Sequence, residues 1–140
     1  MECTVDWVVA TGMGFVAETG SGHLLTMDGA ADGGGRNLAP RPMETVLAGT
    51  GGCAAYDVVL ILKRGRHEVT GCRVKVSAER APTDPKVFTS IKMHFIVTGR
   101  RLSVDAVARA VALSHDKYCS ATIMLAKTAA VSTSHEVLEA

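Results

Sequence analysis

The sequence predicts an α+β fold in which antiparallel strands surround one long central helix. Three observations carry this. Residues 42–66 are apolar or small around most of a helical circumference, whereas 72–78 and 91–97 alternate polar and apolar residues with a period of two. Ahead of them, short apolar runs alternate with glycine turns. With 47% hydrophobic but only 4% aromatic residues, the core has to be built from Val, Ala, Leu, Ile and Met. The 140 residues are the size of one domain, 1–140, and can bury a core without disulfide staples.

The first elements form a meander over 1–27. Thr4–Ala10 reads as a strand that turns at Thr11-Gly12, Gly14–Glu18 returns, Thr19–Gly22 turns again, and His23–Met27 makes the third strand. Residues 28–41, with Asp32-Gly-Gly-Gly-Arg36 in their middle, are expected to be a flexible loop without regular structure. Pro42 suits a first helical turn, and Glu44 favours its positive end. Lys63, Arg64 and Arg66 gather at the other end, where Gly65 is expected to close the central helix, 42–66. This helix is expected to lie inside the protein. Gly49, Gly51 and Gly52 each cost it roughly 1 kcal/mol relative to alanine, so close packing or a site must offset them.

The rest of the chain, 69–140, begins with a hairpin. Cys72, Val74, Val76 and Ala78 share one face of its first strand, and Ile91, Met93, Phe95 and Val97 share one face of its second. Ser103 is the expected N-cap of a helix with Val104, Val107, Ala108, Val111 and Ala112 at helical spacing, ending near Lys117-Tyr118. Cys119-Ser120 opens a short helix through Ala126, and 129–135 reads as the last strand. Cys119 therefore lies at a helix N-terminus, where free N–H groups and the dipole are expected to stabilise a thiolate.

Several functional classes are disfavoured. A net charge of +1 gives no reason to expect nucleic acid or an anionic membrane as partner. No apolar run reaches the roughly 18 residues of a membrane span, and the first residues lack signal-peptide character, so a cytoplasmic protein is expected. Cys3, Cys53, Cys72 and Cys119 form no close pair, and the five histidines show no ligand spacing such as HExxH. No metal and no other cofactor is expected, and nothing supports a meeting of Cys53, Cys119 and His115 around zinc. Asp32-Gly-Gly-Gly-Arg36 lacks the GK[ST] ending of a phosphate loop. Cys3 and Cys72, on apparent strands, are assigned to packing.

Cys53 draws attention in the central helix. At 100° per residue, Val46, Gly49, Thr50, Asp57 and Leu60 fall within about 60° of it. Beside glycines, the thiol can sit where another backbone approaches closely.

Pro42-Met43-Glu44 running into Gly51-Gly52-Cys53, followed far downstream by Lys117-Tyr-Cys119 at the head of a late helix, resembles the OsmC/Ohr family of osmotically inducible and organic-hydroperoxide-resistance proteins. Gly-Gly-Cys-x-x-x-Asp-Val-Val and His94-Phe-Ile-Val-Thr-Gly-Arg100 are most similar to its YhfA-like branch. The resemblance covers nearly the whole chain. It implies an intertwined homodimer with the central helices packed between sheets and two sites at the subunit boundary. It also implies that Cys53 attacks an organic hydroperoxide, that Cys119 resolves the sulfenic acid as a disulfide, and that a dithiol of lipoyl type restores both.

Peroxidase members of the family carry an activating arginine in the N-terminal strand region and a glutamate directly after the helix-starting proline. This chain has no arginine in 1–27, Met43 follows Pro42, and the carboxylate comes one residue later as Glu44. Arg36 and Arg41 are the candidate replacement cations, with Lys117 behind them, and Asp57 is a pocket candidate whose charge opposes a neighbouring thiolate. The leading expectation is a thiol-dependent peroxidase. The alternative is a dimeric stress-associated or small-molecule-binding protein with little or no turnover.

Overall fold

The computed structural model describes residues 1–140. The single domain read from the length divides into two compact units, 1–46 and 47–140.

In the first unit, β1 (Cys3–Val8), β2 (Gly14–Thr19) and β3 (Leu24–Met27) form an antiparallel sheet in chain order. Val9–Thr11 leaves the expected first strand early as a 3-10 turn. Thr11 anchors that turn, its hydroxyl donating to the Val8 carbonyl and accepting from the Gly14 N–H. Cys3 is exposed, contrary to the packing role assigned to it. The loop expected to lack regular structure contains a 3-10 turn at Ala31–Gly33 and is tied to one carboxylate. Asp28, 4% exposed, accepts N–H bonds from Gly29, Arg36 and Leu38 at 2.7–3.2 Å. One buried acceptor thus organises a glycine-rich segment whose own backbone preferences are weak.

The central helix, α1, spans Pro42–Arg64, its first turn counting with the first unit. Glu44 accepts the Arg41 N–H at 2.9 Å, as the third helical residue does in a capping box. At the other end, Arg66 rather than Gly65 takes the left-handed conformation (φ 60°), and the His67 N–H reaches back to the Leu62 carbonyl. A Cβ on Gly65 would meet His67 Cδ2 at 2.9 Å, so a side chain there would require the imidazole to turn aside.

Burial along α1 is one-sided within the chain. Thr50, Ala54, Val58 and Leu62, four residues apart, are at most 2% exposed, whereas Gly49, Gly52 and Tyr56 face outward. The expectation of a helix buried on all sides therefore does not hold for one chain alone. The expectation about membrane spans needs a correction too, because α1 is long and apolar enough to cross a bilayer by length and composition. Its glycines, alanines and threonines interrupt the run of large apolar residues without making the stretch polar. The use shown for its Thr50-to-Leu62 stripe is packing against protein.

The second unit is completed by β4 (Glu68–Arg80), β5 (Phe88–Arg100), α2 (Val104–Leu113), α3 (Ser120–Leu125) and β6 (Ala130–Glu139). β4 and β5 pair as the expected hairpin, and β6 adds to β5 in parallel, a direction that requires the intervening crossover. Ile91, Met93, Phe95 and Val97 are at most 1% exposed, and Val107, Ala110 and Val111 of α2 are buried as well. Ser103 caps α2 by accepting the Ala106 N–H. Between α2 and α3, Ser114–Tyr118 forms a π-helical turn closed by the Cys119 N–H to the Ser114 carbonyl at 2.9 Å.

Candidate functional site

Three elements of the second unit converge on two sulfur atoms. α1 supplies Cys53 and, one turn later on the same face, Asp57, while the π-helical turn and α3 supply Cys119. The Cys53 sulfur, an Asp57 carboxylate oxygen and the Cys119 sulfur all lie within 4.8 Å of one another. Asp57, not His115, is the third member of this group. The cluster was invisible as a metal-ligand spacing because its members come from two distant segments.

The two thiols differ in environment. Cys53 is half-buried and Cys119 fully buried. Cys119 is the N-cap of α3, and its sulfur accepts the Thr122 backbone N–H at 3.4 Å and the Thr122 hydroxyl at 3.0 Å. Burial nevertheless pushes the Cys119 thiol above its ordinary 9.0; the Thr122 bonds oppose that rise and the facing Cys53 thiol adds to it. The expected thiolate stabilisation at this helix N-terminus is therefore present but outweighed by desolvation. Cys72 is also pushed above 9.0 by burial.

Ser114 and Thr122 are site residues that the sequence reading missed. The buried Ser114 hydroxyl donates to the Ala54 carbonyl at 3.3 Å and lies 3.5 Å from Asp57 Oδ2, steadying the carboxylate beside the thiols. Thr122 stands three residues after a capping cysteine, where the third helical N–H meets the cap side chain, so its spacing was a usable signal. Ser114 had none, because its reach depends on the π-helical turn.

The other candidates have partners of their own. In the first unit, Arg36 donates from its guanidinium to the Ala10 carbonyl at 3.3 Å, and Arg41 uses its backbone, not its guanidinium, to bind Glu44. In the second, Lys117 lies over the Tyr118 ring at 5.3 Å from its centre. A depression of about 430 Å3 on the outward side of α1 is lined by Gly52, Ala55, Tyr56, Val59, Leu60, Lys63 and Cys72, and by neither Cys53 nor Cys119.

Fold and site together define an α+β protein with a paired-thiol centre, one thiol on a long helix and the other capping a short one. The chain belongs to the OsmC-like protein family, whose model matches residues 33–134. It is 49% identical to Protein YhfA of Escherichia coli (strain K12) over 140 residues, 100% of each chain. A hypothetical protein from Aquifex aeolicus VF5 superposes with a TM-score of 0.84 at 27% identity, over 99% of this chain and 96% of that one. The organic hydroperoxide resistance protein OsmC from Legionella pneumophila superposes with a TM-score of 0.72 over 98% of both chains, and at 18% identity this likeness is one of fold.

Proposed function

We propose that this chain is a thiol-dependent peroxidase that reduces organic hydroperoxides through a two-cysteine cycle. The observation that supports it most is the placement of Cys53 and Cys119, distant in sequence, with their sulfurs within 4.8 Å. The half-buried Cys53 is the accessible attacking atom and the buried Cys119 the resolving one. Cys53 as thiolate attacks one peroxide oxygen, the O–O bond breaks, and the alkoxide leaves as an alcohol after taking a proton. The Cys53 sulfenic acid then condenses with the Cys119 thiol, forming the S–S bond and releasing water. Because burial keeps Cys119 protonated, it brings its own proton to that water. An external dithiol of lipoyl type returns both sulfurs to thiols. Four unpaired cysteines fit a reducing cytoplasmic compartment.

A second reading rests on Asp57. Its carboxylate stands beside both sulfurs as a third polar ligand atom that the peroxide cycle does not use, which favours a small-molecule-binding protein with little turnover. One equivalent of cumene hydroperoxide, added anaerobically to reduced protein, separates the two. The peroxidase gives a Cys53–Cys119 disulfide within seconds, and Cys119→Ser stops the reaction at a Cys53 sulfenic acid that dimedone traps. Slow oxidation spread over all four cysteines supports the binding protein instead.

A further inference from the structure

The cluster of Cys53, Asp57 and Cys119 has a chemistry that the peroxide cycle leaves unused. The oxidation steps need two sulfurs and make no use of a carboxylate. A divalent cation is attracted by all three groups. Tetrahedral zinc, with Zn–S of about 2.3 Å and Zn–O of about 2.0–2.2 Å, holds its ligand atoms roughly 3.5–3.8 Å apart. Here the three donor atoms are already within 4.8 Å of one another, so each pair has to close by little more than about 1 Å.

The supports of a metal site are also present. Cys53 and Asp57 are four residues apart on one face of α1, the spacing at which a helix offers two ligands to one ion. Ser114 stands at Asp57 Oδ2, and Thr122 donates twice to the Cys119 sulfur, so hydrogen bonds outside the cluster orient two of its three members. Three protein ligands leave one position for water or an incoming molecule.

We propose that the reduced chain binds one thiophilic divalent cation of the zinc type through Cys53, Asp57 and Cys119. Binding exchanges the two thiol protons for the cation and oxidises nothing. With both sulfurs coordinated, neither is free to form the disulfide, so occupancy and oxidation exclude one another. This site shares its thiols with the proposed peroxidase but does not depend on peroxidase activity.

The test is titration of reduced, chelator-treated full-length protein with Co2+ and then Zn2+. The expected result is a thiolate-to-cobalt charge-transfer band that saturates at one Co2+ per chain and disappears as Zn2+ displaces it. Asp57→Asn should weaken binding by at least about tenfold, the size of effect seen even for residues outside the ligand shell. Cys3→Ser and Cys72→Ser should bind as the unaltered protein does, and diamide-oxidised protein should not bind. The proposal is overturned if folded protein gives no band, if Asp57→Asn binds equally well, or if Cys3 or Cys72 proves necessary. A chain that binds cobalt but leaves cumene hydroperoxide intact removes only the peroxidase. One that reduces the hydroperoxide and shows no band removes only the metal site.

Discussion

The Cys119 sulfur accepts two hydrogen bonds from Thr122 and still holds its proton above the ordinary thiol range, because it has no contact with solvent. The hydroxyl bond is the shorter of the two, at 3.0 Å, and can be removed without changing the backbone. In a chain whose other cysteines are replaced by serine, Thr122→Val should lower the Cys119 thiolate population by about tenfold at a given pH, the worth of one hydrogen bond to a charged acceptor. The ultraviolet absorbance of the thiolate, followed against pH, reads this directly, and an unmoved titration would show that the hydroxyl does not act on the sulfur. Asp28 is the opposite case. Its carboxyl is held below its ordinary 3.8 by the Leu38 N–H first, with Gly29 and Arg36 assisting against the cost of burial.

At the scale of elements, α1 comes close to β4 at one position, Gly51, where it has no side chain. A Cβ at Gly51 would meet Val76 Cγ2 at 2.9 Å, and a β-branched valine has little freedom to move away. Overpacking of this kind costs about 1–3 kcal/mol and alanine returns up to about 1 kcal/mol of helix propensity, so Gly51→Ala should lower stability on balance. Urea unfolding measures it, and a raised midpoint would mean that the sheet yields. Elements were legible in the sequence where local pattern decides them. The alternation in β4 and β5, the Ser103 cap and the capping role of Cys119 all depend on neighbours within a few residues. The sidedness of α1 was not legible, because small and apolar residues surround the helix and no polar stripe marks an outside. Nor was the parallel direction of β6, which is decided by pairing with β5 across two helices. Of the site, the helix face shared by Cys53 and Asp57 could be read from helical angles. The approach of Cys119 to that face came from family likeness, and the positions of Ser114 and of the loop around Asp28 required the folded backbone.

For the molecule as a whole, surface left uncovered in one chain argues for a second copy. Gly49, Gly52 and Tyr56 of α1 face outward, only 28% of the helix's most apolar 18-residue window is buried, and Val5, Trp7 and Leu24 are more than half exposed in the first sheet. A homodimer would cover such faces, and the two open glycines would let helices approach closely. Gly52→Leu should then halve the sedimenting mass with the far-ultraviolet circular dichroism unchanged; an unaltered protein that sediments as a monomer at every concentration sinks the idea. Stability should also have limits at both ends of the pH scale. Asp28, with a lowered folded value, stabilises above about pH 4, and this contribution is lost as pH falls through its folded value. Cys72 and Cys119, raised from 9.0, act in the other direction: their contribution is complete below about pH 9 and declines as pH rises through their folded values. Urea midpoints measured across the range should fall at both extremes, and Cys72→Ala should flatten the alkaline limb.

The π-helical turn between α2 and Cys119 has a consequence for how this chain tolerates change. Each residue of a regular helix advances the direction of its side chains by about 100°, so the wider turn at Ser114–Tyr118 acts as a phase correction that aims the next sulfur. His115, Asp116 and Lys117 could be exchanged for other residues with modest effect, whereas deleting any one of them would turn Cys119 away from α1 while leaving the helices intact. The reactivity of the buried thiol is in that sense counted into the chain rather than spelled by it.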